Sequence, residues 1–345
     1  MSSTMRIPSF WQIWRLGIIG SHRLIWRLQR CLSVTGVSLL ASVILIGCSS
    51  VRLGYSNGTT LSYWWLDRYV DFNREQAPKV RAAMDQWFVW HRSQRLAQDL
   101  ALLERAQREV RSDLTPAQIC AWWSVGLQWT DRALLQLVPA VAEIGPTLTQ
   151  PQLAHLEDHF NRKNRDWSRE HLQPDRQDRL DAELGRVTDN AEKLYGRLNR
   201  SQTHWLETEL AHSVWDPDLA LAQHKAHQQD TLQLLRQLVG QPGVAAEPLV
   251  RDWLTRQLAP TDAAAQRSHA AFVTERCQLS AELHNRTTPE QRRHAVETLA
   301  GWQQDLRGFL APGVQHSAAA GAETALGVTL PLISAASSAQ LPAAP

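Results

Sequence analysis

Cysteine is scarce in this chain, with four in 345 residues: Cys31, Cys48, Cys120 and Cys277. The last two have no obvious histidine partner in sequence, so a thiol nucleophile finds no support. No Gly-x-Ser-x-Gly elbow and no Gly-rich phosphate loop occur, which removes the commonest signatures of acyl and phosphoryl transfer. No stretch alternates apolar and polar residues over a Val-, Ile- and Thr-rich run, so a sheet is not expected. Lysine is limited to Lys79, Lys163, Lys193 and Lys225, and arginine supplies nearly all the positive charge. An uncharged, apolar run extends from Cys31 to Gly47.

That run organises the reading of everything else. It follows a basic segment with Arg6, Arg15, Arg23, Arg27 and Arg30 and no acid, and it ends in Leu45-Ile46-Gly47-Cys48. Basic segment, apolar core, then small residues is the order of a secretory signal. A retained membrane helix is the rival, but seventeen uncharged residues are short for a span of about 20. The four-residue box resembles the cleavage and lipidation site of bacterial lipoproteins. The resemblance implies diacylglyceryl transfer to the Cys48 sulfur, cleavage before it and N-acylation, with no other cofactor. Several acyl chains anchor stably where one binds marginally. Ser49 in place of Asp favours the outer membrane under the sorting pattern of that class.

Setting aside the five arginines of residues 1–47 leaves 31 basic against 34 acidic residues. A near-neutral mature chain argues against nucleic acid as a partner. The organisation expected is a signal over 1–47, a lipidated tether over 48–60, a helical domain over 61–311 and a disordered tail over 312–345. The tail is rich in Ala, Ser, Gly and Pro, with Glu323 its sole charge and Leu330-Pro331-Leu332-Ile333 its one apolar cluster.

The fold class expected is all-α, a multi-helix bundle of long kinked helices. A helix over about Glu75–Val110 carries an apolar stripe through Val80, Met84, Phe88, His91, Leu96 and Leu100. Pro78 must lie near its start. The next begins at Thr115, continues past Trp122 and Trp123, kinks at Pro139 and ends at Gly145-Pro146; being the most apolar, it is expected to be central. Further helices follow Thr149, interrupted at Pro174, and carry a seam from Leu180 to Leu198. Asp216-Pro217 caps a helix that stops at Gly240. Shorter segments over Glu247–Leu258 and Asp262–Leu283 precede a last helix opened by Thr288-Pro289.

One device recurs, in Leu114-Thr115-x-x-Gln118 and Leu148-Thr149-x-x-Gln152 and, more loosely, in Phe72-Asn73-x-x-Gln76, Thr287-Thr288-x-x-Gln291 and Leu198-Asn199-x-x-Gln202, the last of which either starts a further helix or continues the one before it. The cap side chain serves one orphan amide of the helix and the glutamine reaches back to another. Capping alone explains them. The two Leu-Thr-x-x-Gln copies also resemble the motif of the Spy-like and CpxP-like periplasmic stress proteins, which implies a helical protein acting on unfolded clients or a sensor.

Arg52-Leu53-Gly54-Tyr55, Tyr63-Trp64-Trp65-Leu66-Asp67, Tyr69-Val70-Asp71, Glu75-Gln76 and Trp90-His91-Arg92 resemble a family of bacterial lipoproteins of unknown function. The resemblance runs over about residues 45–92, implies a helical lipid-anchored envelope protein and brings no activity. Arg52–Gly58 is expected to be a tether and turn. Trp64, Trp65, Asp67, Trp90 and His91 are the candidate binding residues. The tryptophans from Trp64 to Trp129 are expected chiefly in the core, with those nearest the anchor in the headgroup zone as the rival placement. Asp67 and Asp71 lie four apart, a spacing that a hydrolase can use but that a hydrated surface shows more often. His155, His159 and His171 are expected to face water rather than bind metal, and His224 and His227 likewise. Cys120 and Cys277 are two buried thiols or, in an oxidising compartment, a disulfide. The function expected is a non-catalytic envelope lipoprotein that binds an envelope protein. A chaperone-like protein with an unfolded client is the second reading, and a carboxylate-dependent glycan or peptidoglycan hydrolase the third.

Overall fold

The five boxes all cap helices, and four of them join in pairs. In each box the glutamine Oε1 accepts from the cap residue's own N–H, at 3.1 Å in Asn73–Gln76 and 3.0 Å in Thr149–Gln152. Its Nε2 is then left over. Gln76 Nε2 donates to Thr147 O at 2.8 Å and to Gln152 Oε1, while Gln152 Nε2 donates to Asp71 O and Gln76 Oε1, both at 2.8 Å. Gln202 and Gln291 repeat the arrangement: Gln202 Nε2 donates to Arg286 O and Gln291 Oε1, and Gln291 Nε2 to Arg197 O and Gln202 Oε1. Each glutamine therefore closes its own cap and clasps the backbone two residues before its partner's cap. The four side chains are buried. Thr115–Gln118 stays single; Asn285 holds that turn instead, bonding Leu114 N and O.

The computed structural model of the chain describes residues 50–240, 245–258 and 262–310. The signal over 1–47, Cys48 and the tail over 312–345 lie outside the described residues. Within them the protein is helical with no strand. Chain order runs α1 (Ser50–Ser56), α2 (Gly58–Val70), α3 (Gln76–Trp90), a π-helical turn (His91–Arg95), α4 (Leu96–Glu109), α5 (Pro116–Leu135) and α6 (Val138–Ile144). It continues through α7 (Gln150–His171), α8 (Arg176–Tyr195), α9 (Arg200–Leu210), α10 (Pro217–Leu238), α11 (Ala246–Leu258), α12 (Ala263–Asn285) and α13 (Pro289–Arg307). A 3-10 turn at Gly145–Thr147 links α6 to α7.

The α3–π–α4 rod runs from Gln76 to Glu109, a length of about 50 Å at 1.5 Å per residue. Its first half packs on α2 and α6, and its second half on α13. The extra residue of the π turn shifts the buried stripe, so His91, Arg95 and Leu96 all face inward. α2, α7 and α10 pack in series, α11 closes over α6 and α10, and α8 bridges to α9 and α13. The Leu180–Leu198 seam becomes the contact between α8 and the leucines of α9 and α12.

Two expectations fail here. Arg52–Tyr55 is helix, not tether, because Tyr55 is buried between Phe88 and Phe309 and its hydroxyl lies 2.7 Å from His91 Nδ1. α5 is not central. Only Thr130, Ala133 and Leu134 are buried, and the rest of its residues are half-buried or exposed. Its apolarity lies in tryptophans held at the surface, with the Trp122 indole donating to Glu109 and Arg105 lying over its ring. What fastens α5 is the Cys120–Cys277 disulfide to α12, with Cα atoms 5.4 Å apart.

Two measurements test this framework. Gln76→Ala and Gln152→Ala should each cost about 2 kcal/mol in urea unfolding, because each strands buried amide and carbonyl groups. The double variant should cost clearly less than the two together; additive losses would mean that the glutamines do not act as a unit. Reduction of the Cys120–Cys277 bridge opens a loop spanning 157 residues. The unfolding free energy should fall by an amount approaching the chain-entropy value of about 5 kcal/mol, an upper figure for so long a loop, read as a lower urea midpoint.

Candidate functional site

The candidate binding residues do not converge. Trp64 is 57% exposed on the outer side of α2, whereas Trp65 is half-buried and faces inward. Asp67 is structural: its Oδ1 accepts from Phe72 N at 3.0 Å and from the Tyr63 hydroxyl at 3.2 Å. Asp71 sits at φ 55 as the left-handed cap of α2, a place that short polar residues tolerate. The acid pair is thus used up in ending a helix. His91 is buried in a relay with Tyr55 on Nδ1 and Asp99 on Nε2 at 3.1 Å, and Arg95 closes on Asp99 at 2.8 Å. Trp87 stacks on the His91 ring, and Trp90 packs at its edge. This relay locks α1 to the rod.

Nor are the tryptophans core. Trp64 and Trp123 are exposed, and Trp65, Trp87, Trp90, Trp122 and Trp129 are half-buried, while Trp253 on α11 is buried. An indole needs a partner for its N–H, and the helix edges supply one: Trp87 donates to Ala133 O at 2.9 Å.

The inward face of Trp65 belongs to a chamber of about 640 Å³. α2 contributes Trp65 and Tyr69, and α3 contributes Val80 and Met84. α6 adds Val138 and Val141 opposite, and α10 and α11 add Leu235, Val250 and Trp253. α7 forms the remaining wall, apolar at Phe160 and polar toward its C-terminus at Trp167 and His171. The size falls within the range of about 300–1,000 Å³ for small-molecule pockets, and the lining is chiefly aliphatic and aromatic.

Two of the histidines expected to face water, His171 and His224, line the chamber's polar end, and His159 and His227 are turned inward beside them on the same two helices. His224 and His227 on α10 are 4% and 3% exposed. His159 lies against Tyr69 with ring centroids 3.9 Å apart, and His171 sits between Trp167 and Trp215. They are inward because α7 and α10 pack along their whole lengths, which turns the i, i+4 faces toward each other. Burial pushes the His224 imidazole down to about 4, with His227 adding to the effect. Burial and then Arg186 do the same for His171, and burial and then Lys163 for His159, both to about 4. His171 Nδ1 and His224 Nε2 have no hydrogen-bond partner. Among the described residues no group of three His, Cys, Asp or Glu is placed to hold a metal. Sequence spacing alone could not find this end: it is assembled from α7 and α10, more than fifty residues apart.

These titrations carry a sign. The ordinary histidine value is about 6.5, so the unfolded chain takes up protons that the fold refuses. Stability should be complete above about pH 6.5 and fall as pH drops toward 4. Urea midpoints measured between pH 7 and 4.5 should decline, and His224→Leu should flatten the decline. A flat profile in the unsubstituted protein would contradict the buried neutral imidazoles.

No curated protein and no solved structure matches the chain. One family model does, over residues 68–256, reaching far beyond Arg92 yet beginning after the Arg52–Asp67 motifs. That match spans α7, α10 and most of the chamber wall and covers more than half of the sequence, so the chain belongs to the family of unknown function DUF6279.

Proposed function

We propose that the protein is an envelope lipoprotein, anchored through acyl chains on Cys48 and facing the periplasm from the outer membrane, whose helical domain binds an apolar ligand and performs no chemistry. The chamber of about 640 Å³ carries the binding half of this reading: α2, α3, α5, α6, α7, α10 and α11 line a half-open, chiefly apolar space of the size that small-molecule sites have. The anchoring half stands on the box Leu45-Ile46-Gly47-Cys48 and on the bridge between Cys120 and Cys277, since structural disulfides persist in oxidising compartments.

The start of the domain fits attachment at close range. Cys48 precedes Ser50 by two residues, and from Ser50 the chain is already helix docked through Tyr55. A lipid on Cys48 would then hold the bundle against the bilayer rather than on a long leash. Leu53, Leu61 and Trp64 on α1 and α2 are the exposed apolar side chains nearest the anchor in sequence, suited to an interfacial zone. No described helix is long and apolar enough to cross a membrane.

The chaperone-like reading draws on the Leu-Thr-x-x-Gln boxes, but here those side chains are occupied in caps and clasps. The hydrolase reading needs two carboxylates facing one substrate. Asp166 and Glu170 border the chamber, yet they lie four apart on one helix and Asp166 is engaged by Arg169.

Replacement of the anchoring cysteine tests the address. Cys48→Ser should leave an uncleaved precursor that takes up no radiolabelled palmitate, and the unsubstituted chain should be labelled and shortened. Normal processing of the variant would remove the anchor from this reading.

A further inference from the structure

We propose that the chamber holds the hydrocarbon tail of a single-chain lipid with an uncharged, hydroxyl-bearing head, and that His171 and His224 receive the head. The proposal rests on reading the chamber as a binding site and names its ligand class.

The polarity of the walls selects a tail over a peptide. An extended peptide brings a donor and an acceptor at every residue, each costly to bury without a partner. The middle of the chamber offers Val80, Met84, Val138, Phe160, Leu235 and Val250, none of which can bond a backbone. A hydrocarbon tail asks for nothing there. At about 0.8 kcal/mol per buried CH₂, it gains from every step it takes into such a space.

Unmet polarity is concentrated at one end. His224 is buried, its Nε2 lacks a partner, and it faces Trp167 with ring centroids 5.4 Å apart. His171 lies against the same indole, at 4.4 Å, and its Nδ1 is also without a partner. Both rings line the chamber, and a half-turn about the ring bond presents the other edge of either imidazole. A neutral imidazole has one donor and one acceptor, as a hydroxyl does, so two of them suit a hydroxyl head.

Charge argues against an ionised head. Lys163 at the rim stands near two acids, Asp166 and Glu170. The neighbouring arginines are engaged: Arg186 and Arg276 both close on Glu183, at 2.9 Å each. The charged groups of the lining are Lys163 against Asp166 and Glu170, so a carboxylate or phosphate would meet net negative charge there. The source of the lipid follows from α2, which presents Leu61 and Trp64 outward and Trp65 and Tyr69 to the chamber. One helix thus borders both the proposed membrane-facing side and the tail site.

The test uses the full-length protein in isolated envelopes, where no metabolic acylation proceeds. The probe is a monoacylglycerol with a diazirine in mid-chain and a terminal alkyne. After irradiation, crosslinked peptides should map to chamber walls on separate helices, such as Met84 on α3 and Leu235 on α10. Ala140→Trp, which fills the chamber from α6, should abolish that labelling. His224→Leu, which removes a buried polar group and so should not harm folding, should weaken labelling about tenfold. The same variant should leave labelling by a headless alkyl diazirine of equal length unchanged. Crosslinks confined to Leu53, Leu61 and Trp64, or equal loss with both probes in His224→Leu, would overturn the proposal. An unlabelled chamber in a chain that incorporates palmitate would remove the tail site and leave the anchor. A labelled chamber in a chain that does not incorporate palmitate would do the reverse.

Discussion

A glutamine side chain has two ends, and this fold depends on using both. Any capping box spends the carbonyl end on the cap amide. Here the amide end of Gln76, Gln152, Gln202 and Gln291 goes to a second box, so that helix initiation and helix pairing become one event. α3 and α7 are fixed at their N-termini in this way, as are α9 and α13. The clasps are buried, where an unpaired amide is expensive, and each group present is matched. A bundle whose helices carry modest apolar stripes thereby obtains a definite register. Asn164 with Gln228 extends the same reciprocal amide pairing to α7 and α10, the walls of the chamber.

Element boundaries were legible because they are written in local chemistry. Thr115, Thr149, Asn199, Asp216 and Thr288 cap the helices at those places, and Gly240 takes positive φ where a stop was expected. Pairing was not legible, since nothing in a single box tells which other box will meet its free amide. The tryptophans misled for a related reason. Their spacing fits a buried face, but whether a face is buried depends on a partner helix, and α5 has one along only part of its length. One long-range feature did leave a trace. The step of five from His91 to Leu96 in the apolar stripe is one residue too long for an α-helix, and the π turn supplies that residue.

Arg95 shows what the extra turn makes possible. It is buried, yet it is neither stranded nor catalytic, because Asp99 and Gln98 on the same rod take its guanidinium. Asp99 in turn reaches His91, and His91 reaches Tyr55. A polar chain therefore runs from the rod into α1 and makes the beginning of the domain part of its core. Burial holds the Tyr55 hydroxyl protonated far above the ordinary tyrosine range. The lipid proposed on Cys48 would be tied to the body of the domain by this relay, which a slack linker would not do.

The contrast between joints and chamber carries the functional argument furthest. At the joints, buried amides and carbonyls are satisfied, often twice. Around Trp167, by contrast, His171 Nδ1, His224 Nε2 and Trp215 Nε1 are buried without partners. Trp129 Nε1, His159 Nε2, Thr188 Oγ1 and His227 Nε2 are likewise buried without partners, so what sets His171 and His224 apart is their place in the wall of an apolar chamber, where a ligand can supply the bonds. Polar residues retained at such a place cost stability, since leucine would serve the core better. That cost is offset when something else supplies the bonds, and the depressed imidazole values at this end describe the groups before it arrives.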